Sequence, residues 1–507
     1  MYTDWEKQAH NTYVLDIETD DLDASVIWVM CWRNVGTKET GDCIGHEEIS
    51  EWFEKRHNER NIYVGHNILK FDSPTLRRIC GSPITSNQCI DTLVLSTLYN
   101  PSIDGGHSLD AWGQRMGNDK IDFNDWSKLS EEMITYCRKD VEITCQLYQR
   151  LMKTLLRLNF TEGSIWLQHR LTEILDEQRK NGFEFDGPRA INLYSFLRSR
   201  EEELENEIRQ AFPANRVQVA ERSMFRKDKE PTAIYLRDKE RYILDCDEQR
   251  GTYRAFEDVE FNVGSPKQRV DKLLSLGWEP REFTEKTKNG GGGNPKPFDK
   301  GELSPSLEEF LEDKDIPEVK LIAKWMSING RANMVNTWLE AWDDRDGRIH
   351  GKLFTANTLR FRHQSPNTAN IPAVRVGKDG LRLLEESGYY TYEARDLWTA
   401  RAGRVLVGTD ASGLELRMLA HYLNRPDFTK QVVEGDPHQY NADTVGITRP
   451  EAKTLIYAVM YGAAAPKIAK TLGVSVGEGA KIRQMFLDKL GLGDLIESCQ
   501  QEQAKRS

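Results

Sequence analysis

Near the N-terminus, VLDIETD places Asp16 and Glu18 two residues apart, and a strand there projects both carboxylates from one face. Two acids on one strand face repel each other unless a cation sits between them, a role that oxygen-ligated divalent metals fill. A solvated edge strand with surface acids would show the same pattern. Two later segments add carboxylates that a fold could bring to it. NILKFDSPTL puts Asp72 at the start of a predicted helix. YCRKDVEITCQLYQRL sets Tyr136 and Asp140 four apart on one helix face. Two metals held by such carboxylates can activate a water and stabilise the leaving oxygen in phosphodiester hydrolysis. Tyr136 could orient that water, or it could be ordinary core.

A second group lies toward the C-terminus. RVLVGTDASGLELRMLAHYL (404–423) reads as a strand ending at Asp410, a turn at Gly413 and then a helix. A carboxylate at a strand end can present itself and a neighbouring carbonyl to one cation. Asp410 as a helix cap is the plainer alternative. In TRPEAKTLIYAVMYG (448–462), Thr448 and Glu451 form a capping-box pattern, Pro450 suits a first turn and Gly462 suits the end. Arg449, Lys453 and Tyr457 recur every fourth residue, a drift of only about 40° per step, so they line one face. Such a stripe could grip a polyphosphate and pack against a sugar or base. A solvated basic stripe with Tyr457 at its edge is the alternative.

These groups need elements to hold them. Residues 12 to about 155 alternate short apolar runs (YVLDIE, VIWVMCW, IYVGHN, CIDTLVLSTLY) with helical patterns, which predicts an α/β region. Residues 164 to about 210 read as two long amphipathic helices, the second with apolar Ala190, Tyr194, Leu197, Leu204 and Ile208. Between them NGFEFDGP is turn-like, with Gly182 placed to end one helix and Pro188 to open the next. Residues 212–315 are polar and interrupted by Gly and Pro, and include a flexible Gly290–Gly293 run beside Pro295 and Pro297. From about 316 onward, helix and strand patterns resume. There is no internal repeat.

Composition bounds the class. A chain of 507 residues suggests about three domains, and 38% apolar with 29% charged residues excludes a disordered, collagen-like or membrane-embedded protein. No stretch approaches the roughly 20 apolar residues of a membrane span. The first residues are too polar for a secretory signal. Eight scattered cysteines without a CxxC pair indicate neither a disulfide framework nor a zinc site, so the expectation is a soluble protein of the reducing cytoplasm. The net charge of −11 leaves room for nucleic acid, which needs only a local basic surface. Between Arg216 and Arg254, ten Lys or Arg face eight Asp or Glu, the mark of a solvated mixed-charge insertion.

The ordered series DxE, NxxxxD and YxxxD resembles the 3′→5′ proofreading exonuclease domain of DNA polymerases, an RNase H-like fold. CIDTLVLSTLY (89–99) and GHSLDAWGQRMG (106–117) are similar to that domain in replicative polymerases of short-tailed bacteriophages. The resemblance implies Asp16, Glu18, Asp72 and Asp140 as metal ligands, with Tyr136 beside them. DASGLELR and RPEAKTLIYAVMYG resemble the first palm motif and the fingers helix of family A DNA polymerases of the T-seven type. This implies Asp410 as a ligand of both metals and Glu415 as the steric gate against ribonucleotides. Arg449 and Lys453 would hold the incoming triphosphate, and Tyr461 would lie beside the templating base. Tyr457 would sense the sugar, and a tyrosine there implies tolerance of dideoxynucleotides. His438, in GDPHQYNAD, matches a phosphate-contacting histidine of the family. Arg360, in TLRFRHQSPNTANIPA, matches a primer-template contact, although Leu359 stands where glycine is usual and Asn370 where glutamine is usual.

The fold class so implied is multidomain α/β. An exonuclease domain would span 1–160, a thumb 161–345 with an insertion near 212–260, the N-terminal half of the palm 346–424, and incomplete fingers 425–507. The implied activity is DNA-templated DNA synthesis in phage replication with proofreading, in the cytoplasm of an infected bacterial host. It would use Mg²⁺, two per active site, or Mn²⁺ in its place. Primer-template DNA and dNTPs are the implied partners, with no membrane. The stretch after Asp410 contains no His-Asp-Glu palm motif, and one carboxylate holds two mutually repelling cations poorly. The expectation is therefore a chain that polymerises inefficiently alone, either completed by a second chain carrying the rest of palm and fingers or truncated. The insertion lies where thumb insertions of the T-seven type bind host thioredoxin, and it is shorter and less basic, so a processivity factor of that kind is a further candidate partner. Two competing readings are a stand-alone 3′→5′ exonuclease with a degenerate DNA-binding C-terminal region and a non-enzymatic single-strand binder. The Glu415, Arg449, Lys453 and Tyr457 set argues against the former, and the four N-terminal carboxylates against the latter.

Overall fold

A computed structural model describes residues 5–284, 293–299, 302–314, 316–356, 358–377, 379–472 and 474–506. Gly290, Gly291 and Gly292 of the predicted flexible run lie outside the described residues. The polypeptide divides into two compact units, residues 1–406 and 407–507.

The first unit begins with strands β1 (Thr12–Thr19), β2 (Ile27–Asn34), β3 (Thr40–Ile44), β4 (Ile62–Gly65) and β5 (Cys89–Asp91). They form one sheet in the order β3-β2-β1-β4-β5, antiparallel across β1 to β3 and parallel across β1, β4 and β5. β1 carries apolar residues on both faces because both are covered. Alternation sends Val14 to one face and Leu15 and Ile17 to the other. Helices α1 (Gly45–Arg56) and α2 (Asp72–Cys80) pack with Leu15 and Ile17 through Ile49, Trp52, Phe53 and Leu76. After α3 (Thr92–Tyr99) and α4 (Leu109–Met116), the long α5 (Glu131–Arg157) closes the Val14 face with Val141, Ile143, Leu147 and Leu151.

Two details depart from the sequence reading. Most of CIDTLVLSTLY is helix, because Asp91 ends a three-residue strand and caps α3, accepting the Leu93 N–H at 2.9 Å. A short apolar run cannot by itself separate strand from buried helix. The sheet edge β3, TGDCI, has no apolar run to announce it, being mostly half-exposed.

Helices α6 (Glu162–Asn181) and α7 (Gly187–Ala211) follow as the periodicity predicts. Gly182 takes φ +63° after α6, and Asp186 caps α7 by accepting the Arg189 N–H at 3.0 Å. Ala190, Leu197, Leu204 and Ile208 are buried in a core shared with Val319, Ile322 and Met326 of the Pro317–Ala341 helix, while Tyr194 is half-buried at its edge.

The predicted solvated insertion is more ordered than its composition suggests. Strands Asn215–Ser223, Thr252–Val259 and Ile243–Asp247 form an antiparallel sheet, accompanied by the Ala233–Arg241 helix. Met224, Tyr253 and Ala255 make a small core. Buried Asp238 accepts from Tyr253 at 2.7 Å and pairs with Arg222 at 3.1 Å. Many of its charges are cross-strand pairs, such as Arg216 with Asp258 and Arg254 with Asp245.

The strand predicted to end at Asp410 does not form. Residues 404–410 have no regular structure, and Val405 and Val407 are 81% and 82% exposed. No strand pairs with this run among the described residues, and an extended segment alone cannot satisfy its own amides and carbonyls. The helix predicted after Gly413 is present as Leu414–Leu423.

The second unit is helical: Leu414–Leu423, Pro426–Glu434, Pro437–Val445, Arg449–Met460, Ala465–Leu472, Val476–Leu490 and Leu492–Arg506. Leu416, Phe428, Leu455, Ile456, Phe486 and Leu490 form its core. The predicted capping box is present, with Glu451 accepting the Thr448 N–H at 2.8 Å. No described helix of the chain is long and apolar enough to cross a membrane.

Gly479 is where two helices of this unit touch. A Cβ there would lie 2.8 Å from Ala469 Cβ and 2.9 Å from its Cα and N. Gly479→Ala should therefore cost about 1–3 kcal/mol, read from denaturant unfolding; an unchanged midpoint would contradict this packing.

Candidate functional site

The strand β1 carries Asp16 and Glu18 on one face, as the period of two requires. Their carboxylate oxygens and the Cys137 sulfur of α5 lie within 4.8 Å of one another. Asp72 opens α2 and is turned to β1, accepting the Ile17 N–H at 3.3 Å. Asp140 follows Cys137 by one turn of α5. Glu18, Asp72 and Asp140 are only 6%, 3% and 5% exposed. The structure thus brings all four predicted carboxylates into one buried pocket, with Tyr136 on its rim.

Electrostatics bears the mark of crowding. Burial, then repulsion from Glu18, Asp140 and Asp72, holds Asp16 well above the usual carboxylate range. Burial and the nearby Asp140 push Glu18 up to about 8. Asp72 rises to about 7, chiefly through burial, with backbone N–H donors opposing. Asp140 is also raised by burial, against the pull of Lys120. Burial likewise lifts Tyr136 to about 12. Glu18 Oε1 and Asp140 Oδ1 are buried without a hydrogen-bond partner. Hard oxygen donors of high negative charge with unfilled valences suit a divalent cation.

Several residues of the pocket escape sequence reasoning. Lys120, from the loop between α4 and α5, reaches Asp140 Oδ2 at 2.5 Å and the Tyr136 hydroxyl at 2.7 Å. Cys137 donates to the Asp16 carbonyl at 3.4 Å. Asp91 accepts the N–H groups of Asn67 and Leu69 at 2.9 and 3.3 Å, fixing the loop that delivers Asp72. The Asp91 N–H in turn donates to His169 Nε2 at 2.9 Å. Beside Glu18 a cavity of about 380 Å³ is walled by Leu22, Phe71 and Trp126. Leu22 is 87% exposed, an apolar side chain held out at a site's mouth.

The second unit assembles another group. Arg449, Lys453 and Tyr457 line one face of their helix, and the Tyr457 ring stands 6.2 Å from that of His438. Burial, then the charge of Arg449, lowers the pKa of His438. Arg449 pairs with Asp436 at 2.7 Å, and Tyr461 donates to Glu415 at 3.3 Å. Asp410 stands apart on the exposed irregular segment and makes no side-chain hydrogen bond or ion pair among the described residues. In the first unit, Arg360 closes the hairpin of Lys352–Thr355 and Phe361–Gln364, where its carbonyl accepts the Ala356 N–H at 2.7 Å. The preceding Leu359, where glycine is usual, has φ +60°.

A family model described as DNA polymerase family A matches residues 243–506, just over half of the chain. The chain belongs to DNA polymerase family A. This polymerase is 28% identical to a DNA-directed DNA polymerase of Enterobacteria phage T3, over 87% of its own length and 73% of the relative's. The corresponding enzyme of Escherichia phage T7 matches to the same extent. DNA polymerase I of Aquifex aeolicus is 25% identical over 95% of this chain. Among solved structures, the polymerase domain of Pol1 from M. smegmatis, in complex with a DNA primer-template and dNTP, superposes with a TM-score of 0.63. It covers 99% of this polymerase and 78% of that chain at 16% identity, a likeness of fold.

The raised carboxylates give the polymerase a pH signature without metal. Glu18 titrates near 4.5 when solvated and near 8 in the pocket, so the folded state binds more protons across that window. Its contribution to stability is whole below about 4.5 and is lost as pH rises through about 8. With a chelator present, Glu18→Gln should gain melting temperature over the parent increasingly from pH 5 to pH 8.5. A margin that stays flat or shrinks would contradict the buried placement of Glu18.

Proposed function

We propose that this family A polymerase joins DNA-templated DNA synthesis to a 3′→5′ proofreading exonuclease seated in the pocket of Asp16, Glu18, Asp72 and Asp140. The observation that carries the exonuclease reading is the convergence of four carboxylates in one buried pocket, two of them with an orphaned oxygen. The mixed five-stranded sheet, with acids on its central strand and on helices flanking it, supports an RNase H-like domain. Mg²⁺ held by these four residues would supply an activated water and charge stabilisation at the leaving oxygen of a phosphodiester.

The protein's own groups do the rest. Leu22, Phe71 and Trp126 offer apolar and aromatic surface on which a terminal base can rest, next to Glu18. The Tyr136 hydroxyl, at the pocket rim, would orient the attacking water. Its proton stays in place at neutral pH, as for any tyrosine, and burial pushes its pKa further up to about 12.

For synthesis, Arg449, Lys453 and His438 would engage the incoming triphosphate, and Tyr457 would sense the sugar. Glu415 is the gate against ribonucleotides, held by the Tyr461 hydroxyl. Asp410 would be a metal ligand of the polymerase site, and Arg360 a primer-template contact. In this reading residues 1–160 form the exonuclease, 161–345 the thumb, 346–424 part of the palm and 425–507 part of the fingers.

The test is degradation of a mispaired primer-template with Mg²⁺ and no dNTP. Asp16→Ala should lower the rate by roughly 1,000-fold or more while leaving the fold unchanged by circular dichroism. Undiminished degradation by that variant would place the nuclease elsewhere or nowhere in this chain.

A further inference from the structure

Lys120 is a basic residue placed inside an acid pocket. It belongs to no helix or strand, yet its side chain is only 19% exposed. Its ammonium lies 2.5 Å from Asp140 Oδ2, 2.7 Å from the Tyr136 hydroxyl and 4.6 Å from the centre of the Tyr136 ring. Its charge acts on Asp16 and Glu18 as well as on Asp140. An ammonium has three donors and no acceptor. The Tyr136 oxygen therefore accepts from Lys120 at 2.7 Å, and the tyrosine's own hydrogen is turned to Asp140.

Both side chains that Lys120 holds, Asp140 and Tyr136, belong to α5 and stand one turn apart. Here it covers one oxygen of Asp140 while the other, like Glu18 Oε1, has no partner. That is the place a metal ligand must give up when a cation arrives.

We propose that Lys120 is the resident counter-cation of this pocket, holding Asp140 and Tyr136 while no metal is bound. Loading of a divalent cation requires Lys120 to release the Asp140 oxygen, after which it remains on the Tyr136 hydroxyl as a positioning residue. The inference rests on the exonuclease reading and adds to it a competition between ammonium and metal for one carboxylate.

Calorimetric titration of the full chain with Mg²⁺ at pH 8.5 tests it. The parent should show a binding event that Asp16→Ala removes. Lys120→Met should bind Mg²⁺ about tenfold more tightly than the parent, since a charge-assisted hydrogen bond no longer has to be broken. Lys120→Gln provides the same comparison if the methionine variant does not fold. At saturating Mg²⁺ both variants should degrade DNA about tenfold more slowly, and Tyr136→Phe should add little to that loss, because both changes undo one hydrogen bond. A structural tether would give unchanged or weaker Mg²⁺ affinity and losses that add, and either result overturns the proposal while leaving the exonuclease reading intact. Absence of any Asp16-dependent Mg²⁺ binding in the parent would overturn both.

Discussion

Four carboxylates cannot stay ionised in one buried pocket without positive charge among them. Two ionised oxygens 4.8 Å apart, the outer bound on Asp16 and Glu18, repel by about 3.5 kcal/mol at an effective dielectric of about 20. Asp140 and Asp72 add to the repulsion on Asp16, and removing water from Glu18, Asp72 and Asp140 adds more. The pocket answers in two ways, with protons, which the upward shifts of Glu18 and Asp72 favour, and with the Lys120 ammonium; a divalent cation is the third answer, and the one the proposed function calls for. Three elements of the N-terminal sheet and its helices bring these acids together. β1 supplies two acids because a strand repeats every second residue, α2 supplies a third from its first turn, and α5 supplies the fourth.

The group in the second unit is built on the opposite principle. Arg449 and Lys453 stand on an exposed helix face, and Glu415 is reached by the Tyr461 hydroxyl rather than buried. Positive charge kept in solvent suits a triphosphate that arrives and leaves, whereas buried negative charge suits ions that stay through a reaction.

Much of this was legible because local periodicity sets it. The two-residue spacing of Asp16 and Glu18, the four-residue spacing of Tyr136 and Asp140, and the Thr448–Glu451 cap all follow from the geometry of a single element. So do α6, the NGFEFDGP turn and α7. What was not legible depends on contacts between distant segments. Lys120 sits in a loop whose sequence, GNDKIDF, has no period to read, and only the packing of that loop against α5 brings it to Asp140. Asp91 looked like part of an apolar run and proved to be a cap that anchors the Asp72 loop. The insertion's sheet was hidden because cross-strand ion pairs read as solvated charge. The run at 404–410 failed as a strand for the converse reason: its pattern is strand-like, but a strand exists only with a neighbour.

In the proposed function the carboxylates at positions 16, 18, 72 and 140 form one cation site. Crystals of the protein soaked in Mn²⁺ and measured at the manganese absorption edge address it directly. Anomalous density should be enclosed by these four side chains, with oxygen distances near 2.2 Å, roughly those of small hard cations. Density confined to surface acids, with this pocket lacking any, would contradict it.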